Sequence, residues 1–416
     1  MSWLKASVAI ATAQAVRMIG GLILIKITAM YLGPEGYGRL GHFMSLAAIL
    51  AVLAGGAVLN GMVKYVAEYK NSPEKLQLFI SNALAYSFLF SLFLFIVIFF
   101  SANLISSILF NSDEYSKLII FLGVVQFFYG MVTYCNGIIN GLRKTIVFVK
   151  ILIFGTLIGV PASCYFIAFY GFEGAVIGIA LINACFLFPG LYELYRLDFF
   201  KKIKFSLNIQ DTAKLSKFSI MQIFSLATLP LAEIYIRGLI VNDFGWYQAG
   251  LWQSLMRLSS VYVAFFTTFL VSYYMPKLSV MIDKEEIFKY VSKYMLSIGG
   301  IFILIAIGVY ILRDFVFTLL FSNKFIIPDE YVKFQLLGDL FKIMSYVICY
   351  LIVAKAKAKL YIISEIVQAI LYFSLVMWFM RTTDVSMVFT AYALSNFIYF
   401  SICLFGLFWF KNLSSR

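Results

Sequence analysis

Long apolar stretches separated by short polar segments run along the whole chain. The stretches hold 20 or more residues, the length that a helix needs to cross about 30 Å of hydrocarbon. Strands of a membrane barrel would be shorter and would alternate apolar with polar positions. The pattern therefore predicts an all-α polytopic membrane protein with twelve spans. The predicted spans are residues 7–31, 40–66, 78–100, 117–140, 145–170, 174–195, 216–240, 246–275, 292–312, 333–354, 360–380 and 387–410.

Composition agrees with a membrane protein and explains the net charge of +13. The chain is 62% apolar and only 13% charged, whereas soluble domains are nearer 25% charged. Most Lys and Arg fall on one side of the predicted topology, together with both termini. Because basic loops stay in the cytoplasm, the N- and C-termini are predicted to be cytoplasmic.

The second half of the chain repeats features of the first. Asp113-Glu114-Tyr115 corresponds to Asp329-Glu330-Tyr331, and without a gap Tyr134 then falls on Tyr350. Six spans per half is an even number, so the halves are related by a parallel pseudo-two-fold axis along the membrane normal. We predict an N-terminal six-helix lobe over 1–196, a cytoplasmic linker over 197–214 and a C-terminal six-helix lobe over 215–416. A substrate site is expected between such lobes.

Basic side chains lie inside several predicted spans, where a charge costs roughly 2.5–3.5 kcal/mol on insertion scales. Arg17 and Arg257 lie near the centres of their spans, and no acid lies within one turn of Arg257. Their excess over acidic residues predicts a membrane cavity that holds an anion. Six such residues are Arg17, Lys26, Lys150, Arg237, Arg257 and Lys342.

Some of these charges also have a structural interpretation. Lys26 lies near a span end and can extend to the interface, as can Lys64 and Lys150 near other ends. Lys64 and Lys150 are therefore either topology anchors or residues of a cavity mouth.

Two carboxylates accompany the central basic residues. Glu233 precedes Arg237 by four residues, the favourable order for a salt bridge on a helix. Asp339 and Lys342 are three residues apart and can neutralise each other. Alternatively, Glu233 and Asp339 couple transport to a proton or a cation.

Catalytic and cofactor motifs are scarce. The single histidine, His42, excludes a histidine cluster within one chain, and no phosphate-binding loop of the ATPase type occurs. Residues 36–41 match a dinucleotide glycine pattern but follow no strand. Asp113-Glu114 and Asp329-Glu330 are read as acidic helix starts, although a glycosyltransferase could use such acids. We therefore predict no cofactor, no metal and no catalytic residue, and free, buried cysteines.

Several segments, in this order and spacing, resemble one known family. They include Leu32-Gly33-Pro34-Glu35-Gly36-Tyr37-Gly38, Asn60-Gly61-Met62-Val63-Lys64-Tyr65 and Leu337-Gly338-Asp339. The chain resembles Wzx-type lipid-linked oligosaccharide flippases of the multidrug/oligosaccharidyl-lipid/polysaccharide exporter superfamily, and especially the branch for enterobacterial common antigen lipid III. The likeness extends over the whole length and implies a MATE-like fold.

The resemblance implies a bacterial inner-membrane carrier. Its substrate would be an undecaprenyl-diphosphate-linked O-antigen repeat unit or, alternatively, lipid III, moved from the cytoplasmic to the periplasmic leaflet by alternating access. The partners would be this lipid-linked glycan, membrane lipid, a polysaccharide polymerase and a chain-length regulator, with no nucleic acid. The implied substrate-binding residues are Arg17, Lys26, Lys64, Arg237 and Arg257.

Two other functions stay open at this stage. A multidrug exporter would share the fold, but exporters of cationic drugs need buried acids, and this chain has an excess of buried bases. A polytopic glycosyltransferase or ligase would require Asp113 or Asp329 for its chemistry.

Overall fold

The computed structural model describes residues 3–196, 204–226, 228–355, 357–380 and 384–412, and nearly all of them are helical. The first half holds α1 (Trp3–Leu53), a 3-10 turn (Ala54–Gly56), α2 (Leu59–Tyr69), α3 (Pro73–Phe110), α4 (Ser116–Gly141), α5 (Thr145–Ala184), α6 (Leu187–Arg196) and α7 (Ile209–Leu226). The second half holds α8 (Thr228–Phe269), a π-helical turn (Leu270–Tyr274), α9 (Met275–Val280), α10 (Lys284–Ile311), α11 (Arg313–Leu320), α12 (Asp329–Ala354), α13 (Ala358–Phe379) and α14 (Ser386–Asn412).

Nine helical stretches within the described residues are long and apolar enough to cross a membrane. Three of them are 51 to 61 residues long, about twice what one crossing needs. The all-helical membrane fold is thus confirmed, while the total of twelve crossings stays a prediction.

Glycines break the long helices. Gly33 in α1, Gly171 in α5 and Gly245 in α8 have positive φ angles of 63°, 56° and 82°, which glycine adopts without steric cost. Each break falls at or near a predicted loop between two spans.

Cross-helix contacts show that the chain reverses at two of these glycines. The Ser163 hydroxyl donates to the Gly178 carbonyl oxygen at 2.8 Å, although a continuous helix would separate them by about 22 Å. In α8, Arg237 donates to Gln253 across Gly245 in the same way. The arms of α5 and of α8 are therefore antiparallel neighbours, as predicted for separate spans.

The described contacts divide the chain into two compact units, Met1–Ile234 and Tyr235–Arg416. The division falls within α8. In the first unit α1 packs along α5, and α4 packs against α3 and α2. In the second unit α12 is central and packs against α14 and α10. The predicted lobe and linker boundaries stay predictions, and residues 197–203 of the linker lie outside the described residues.

Candidate substrate and ion sites

The basic candidates of the first unit lie on α1 and α2. Arg17 and Lys64 are exposed, and Lys26 is half-buried. Nine residues separate Arg17 from Lys26, which is half a turn in excess of two full turns of helix. Between them Gly20 faces α5, where an added Cβ would lie 2.8 Å from Val160. The two candidates therefore lie on different faces of α1.

Arg237 is fully buried on the first arm of α8. Its guanidinium donates to Oε1 of Gln253 at 2.6 Å and lies 5.3 Å from the ring centroid of Trp252. A neutral amide does not cancel the charge, and an indole face attracts a cation. Glu233, the predicted partner four residues earlier, is half-buried. The partner that the sequence did not predict is Gln253. It follows Arg237 by sixteen residues and contacts it only because the chain reverses at Gly245.

Arg257 lies on the second arm of α8 and is half-buried. Its Nε atom is buried and has no hydrogen-bond partner among the described residues. A buried donor without an acceptor costs about 1–3 kcal/mol, more when the group is charged. The guanidinium therefore favours a bound anion over an empty environment.

Asp339 on α12 is completely buried and is surrounded by hydrogen-bond donors. Its Oδ2 accepts from Ser259 Oγ at 2.5 Å, from the Tyr262 hydroxyl, and from Gln335 Nε2 at 3.3 Å. Its Oδ1 accepts from the Tyr392 hydroxyl at 2.7 Å. Four neutral donors from α8, α12 and α14 thus hold this carboxylate, which we call the Asp339 cluster.

One acceptor in the Asp339 cluster is left over. Gln335 is 1% exposed, and its amide nitrogen bonds both Ser259 and Asp339. Its Oε1 has no hydrogen-bond partner within the described part of the chain. This oxygen and the neighbouring hydroxyl and carboxylate oxygens are the kind of ligands that hard cations prefer. The cluster can bind a proton on Asp339 or a small cation among these oxygens.

The remaining charges have other surroundings. The Lys342 ammonium lies 5.8 Å from the ring centroid of Tyr392. Tyr392 therefore contacts Lys342 through its ring and Asp339 through its hydroxyl. Lys150 lies 4.0 Å from Glu193, which favours its interpretation as an anchor. Among the described residues, no group of three or more His, Cys, Asp or Glu side chains could hold a metal. All five cysteines are free; Cys135, Cys185 and Cys349 are buried as predicted, whereas Cys164 and Cys403 are half-buried.

Sequence reasoning named Asp339 but missed the residues that hold it. Gln335 precedes Asp339 by four residues, so the helical period alone places both on one face. Ser259 and Tyr262 follow Arg257 within two turns, and their polarity in an apolar span was a usable signal. Tyr392 gave no signal, because tyrosines are abundant in the predicted spans.

Known proteins resemble this chain in sequence. The model of a family described as polysaccharide biosynthesis protein matches residues 3–281. The lipid III flippase of Escherichia coli (strain K12) is 32% identical over 407 residues, which cover 97% of both chains. The lipid III flippase of Shigella flexneri matches to the same extent. These relatives are flippases and not enzymes.

Solved structures show the fold. An inward-facing multidrug resistance MATE family transporter of the MOP superfamily matches with a TM-score of 0.74 at 15% identity, covering 95% of this chain and 96% of that one. The lipid II flippase MurJ in an inward closed conformation also gives a TM-score of 0.74 at 15% identity, covering 97% of this chain and 87% of that one. The fold class is thus confirmed, and the chain is a multi-pass membrane protein of the polysaccharide biosynthesis protein family, as its resemblance to Wzx-type flippases indicated.

Proposed function

We propose that this protein is a flippase for an oligosaccharide linked to a prenyl diphosphate lipid, moved outward across the bacterial inner membrane by alternating access. Flippases with 32% identity over nearly the whole chain support the class of activity. The excess of basic residues in the spans supports an anionic head group.

The observation that carries the proposal is the Arg257 guanidinium. It is half-buried in an apolar helix, and its Nε has no acceptor in the ranges of the chain that the structure describes. Guanidinium groups bind phosphate oxygens through two parallel hydrogen bonds, so a diphosphate satisfies this donor and its charge together. Arg17, Lys26, Lys64 and Arg237 are the further basic residues proposed for the substrate path. In this proposal the diphosphate contacts the basic side chains, while the prenyl chain stays in lipid.

The test is translocation of a fluorescent sugar-diphosphate-prenyl lipid in vesicles that contain the purified protein. Arg257→Ala and Arg17→Ala should abolish translocation with normal membrane levels, and Arg257→Lys should retain part of it. Lys289→Ala is the control, because Lys289 is exposed and pairs weakly with Glu285. Wild-type rates in both arginine variants would overturn the proposal.

Two glycans fit the proposed chemistry. The main candidate from the sequence is an O-antigen repeat unit, and the alternative is lipid III, the substrate in the names of both curated relatives. Expression in one strain that lacks its O-antigen flippase and another that lacks its lipid III flippase decides between them. Restored surface O-antigen in the first strain, or restored common antigen in the second, names the glycan.

For coupling, we propose that Asp339 binds the driving ion, with Glu233 as a second acidic candidate. The chain has no ATP-binding motif, and an inside-negative potential favours outward movement of an anion by about 2.3 kcal/mol per charge per 100 mV. Transport by vesicles should respond to an imposed pH or sodium gradient, and Asp339→Asn should remove that response. Transport indifferent to both gradients would overturn the role of these acids.

We further propose cytoplasmic termini, from the one-sided distribution of Lys and Arg. Reporter fusions at Asn412 and within the segment 143–144 should both read as cytoplasmic.

A polysaccharide polymerase and a chain-length regulator are the proposed partners downstream of the flipped lipid, and cross-linking in membranes tests them.

A further inference from the structure

A second basic group lies in the first unit, at the end that is predicted to be cytoplasmic. It consists of Lys64 and Tyr65 on α2 and Lys214 on α7, with Tyr69 and Phe218 beside them. Both ammonium groups face the same ring: Lys64 Nζ is 4.7 Å and Lys214 Nζ 5.5 Å from the centroid of Tyr65. We call this group the lysine–tyrosine cluster.

The Lys64 ammonium has aromatic neighbours and no acidic partner among the described residues. Besides Tyr65, it faces Phe218 at 5.7 Å, and it makes no hydrogen bond or ion pair with any residue that the structure describes. Lys64 is exposed, and the rings of Tyr65 and Phe218 are half-buried. Ring faces restrict the ammonium without using its hydrogen-bond donors, so all three stay available to a ligand.

Lys214 adds a second cation in a fixed position. Its Nζ donates to Asp211 Oδ1 at 2.7 Å and to the Tyr69 hydroxyl oxygen at 3.0 Å. The hydrogen bond to Asp211, followed by that to Tyr69, raises the pKa of Lys214, so it stays protonated at neutral pH. Asp211 neutralises the charge of Lys214, so the two lysines together keep one uncompensated positive charge, on Lys64.

The start of α7 is tied to α3, which keeps Lys214 beside α2. Asn82 is fully buried, and its Oδ1 accepts from the backbone N–H of Asn208 at 2.6 Å and from Thr212 Oγ1 at 3.2 Å. Further along, the hydroxyls of Ser219 and Tyr86 bond at 3.0 Å. A side chain on a docked helix is pre-organised, so little ordering entropy is lost when a ligand binds.

The position along the helix matches a membrane surface. Lys64 is five residues before the end of α2 at Tyr69, about 8 Å along the axis. Lys214 is five residues after the start of α7 at Ile209. Both ammonium groups therefore lie near helix ends, where lipid phosphates lie, and not at mid-membrane.

From this arrangement we propose that the lysine–tyrosine cluster is a loading site that binds the phosphate-bearing head of the lipid-linked sugar before the head reaches Arg257. The two ammonium groups, held over the Tyr65 ring, bind the phosphate oxygens. The inference rests on the proposed flippase function and adds a separate, earlier binding step to it.

The experiment measures equilibrium binding in the Arg257→Ala background, which removes the proposed central contact. The protein is in nanodiscs of neutral lipid, and the probes are farnesyl diphosphate, farnesol and inorganic diphosphate. Farnesyl diphosphate should bind and farnesol should not. Lys64→Ala should weaken binding by about tenfold without changing the unfolding temperature, and Lys64→Arg should restore it.

A matched control exists in the second unit. Lys277 also lies over a tyrosine, with its Nζ 5.1 Å from the ring centroid of Tyr290, but α9 brings no second lysine to that ring in the described residues. Lys277→Ala should leave binding unchanged. Equal weakening by Lys64→Ala and Lys277→Ala would mean general attraction to a basic surface and would overturn the loading site.

The remaining outcomes separate the two proposals. Inorganic diphosphate that binds as tightly as farnesyl diphosphate would assign the site to a free phosphate ligand and overturn the lipid-loading role. Unchanged binding in Lys64→Ala, or no binding at all in the Arg257→Ala background, overturns the loading site alone if the wild type still translocates lipid. Failure of the wild type to translocate any prenyl diphosphate overturns the proposed function instead.

Discussion

Helix α4 of the first half and helix α12 of the second correspond in the repeat, and position 123 aligns with Asp339. In α4 this position is Gly123, where an added Cβ would lie 2.9 Å from Cγ2 of Ile98. In α12 it is a buried carboxylate with donors from three helices. At this position α4 packs against apolar neighbours, so the repeated fold does not require a charge there.

This difference between the halves indicates that packing does not explain the Asp339 cluster, because burying the carboxylate costs desolvation energy that the apolar position 123 avoids. Burying a carboxylate is expensive even when it is hydrogen-bonded, and well-packed apolar groups of the same volume are often as stable or more stable. The first half shows such an apolar alternative in the same repeat. A carboxylate at this position in only one half favours a role in transport over a role in folding.

The largest expected effect comes from placing the acid in the wrong half. Gly123→Asp should lower the free energy of unfolding by at least about 3 kcal/mol, because the carboxylate would be buried against the apolar side chains of Ile98 and Phe95. Thermal unfolding in detergent measures it. Gly123→Asn tests the charge separately and should destabilise less. A Gly123→Asp protein as stable as the wild type would remove the contrast between the halves.

A smaller loss should follow from disturbing the contact between α12 and α14. An added Cβ at Gly338 would lie 2.5 Å from Cδ1 of Tyr392, so this glycine lets the ring approach. Gly338→Ala should cost about 2–3 kcal/mol and displace the Tyr392 hydroxyl from Asp339. Gly300→Ala is the control, because nothing lies within 4 Å of its added Cβ. Equal unfolding temperatures for the two variants would contradict this packing argument.

Removing one tyrosine hydroxyl in each half should distinguish a hydrogen bond to a charged carboxylate from one to a neutral carbonyl. Tyr392→Phe removes a bond to a carboxylate and should cost about 1.5 kcal/mol, and it should also alter the response of transport to ion gradients. In the first half, Tyr129 donates to the Ala180 carbonyl oxygen at 2.8 Å, and Tyr129→Phe should cost about 1 kcal/mol with coupling unchanged. Loss of coupling in Tyr129→Phe as well would show that the effect is not specific to Asp339.

The smallest effect is expected at the helix starts of the repeat. Arg313 binds Asp329 through Nε at 2.7 Å and Nη2 at 2.9 Å, and the Asp329 side chain is 57% exposed. Arg313→Ala should therefore change stability by less than about 1 kcal/mol and leave transport intact. A large loss of transport in Arg313→Ala would give this extramembrane pair a functional role that we do not expect.

Much of the fold could be predicted because a bilayer restricts the choice of structure. Backbone groups in hydrocarbon must bond within their own segment, so long apolar runs have to be helices. Glycines at the predicted loops mark where α5 and α8 reverse. The acidic helix start predicted at Asp329-Glu330 is confirmed, since acids favour the positive end of a helix. The one predicted at Asp113-Glu114 is wrong, because these residues lie in a turn before α4, which begins at Ser116.

The candidate sites were predictable only in part. Arg257 and Asp339 stand out because charges are rare in membrane helices, and no partner is needed to notice them. Apart from Gln335 on the same helix, the donors to Asp339 come from helices that are about 50 to 80 residues away in sequence, as Tyr392 and Ser259 illustrate. The contact of Lys214 with α2 likewise depends on how α7 docks on α3.

The sequence by itself determined the membrane class, the helices, the repeat and the excess of buried positive charge, because these follow from local composition and from the cost of exposing backbone or charge to lipid. The tertiary structure alone decided which polar side chains meet: four donors and an unsatisfied oxygen around Asp339, an amide and an indole at Arg237, and two lysines at one tyrosine ring. Such contacts depend on helix packing over long sequence separations, so local composition does not predict them.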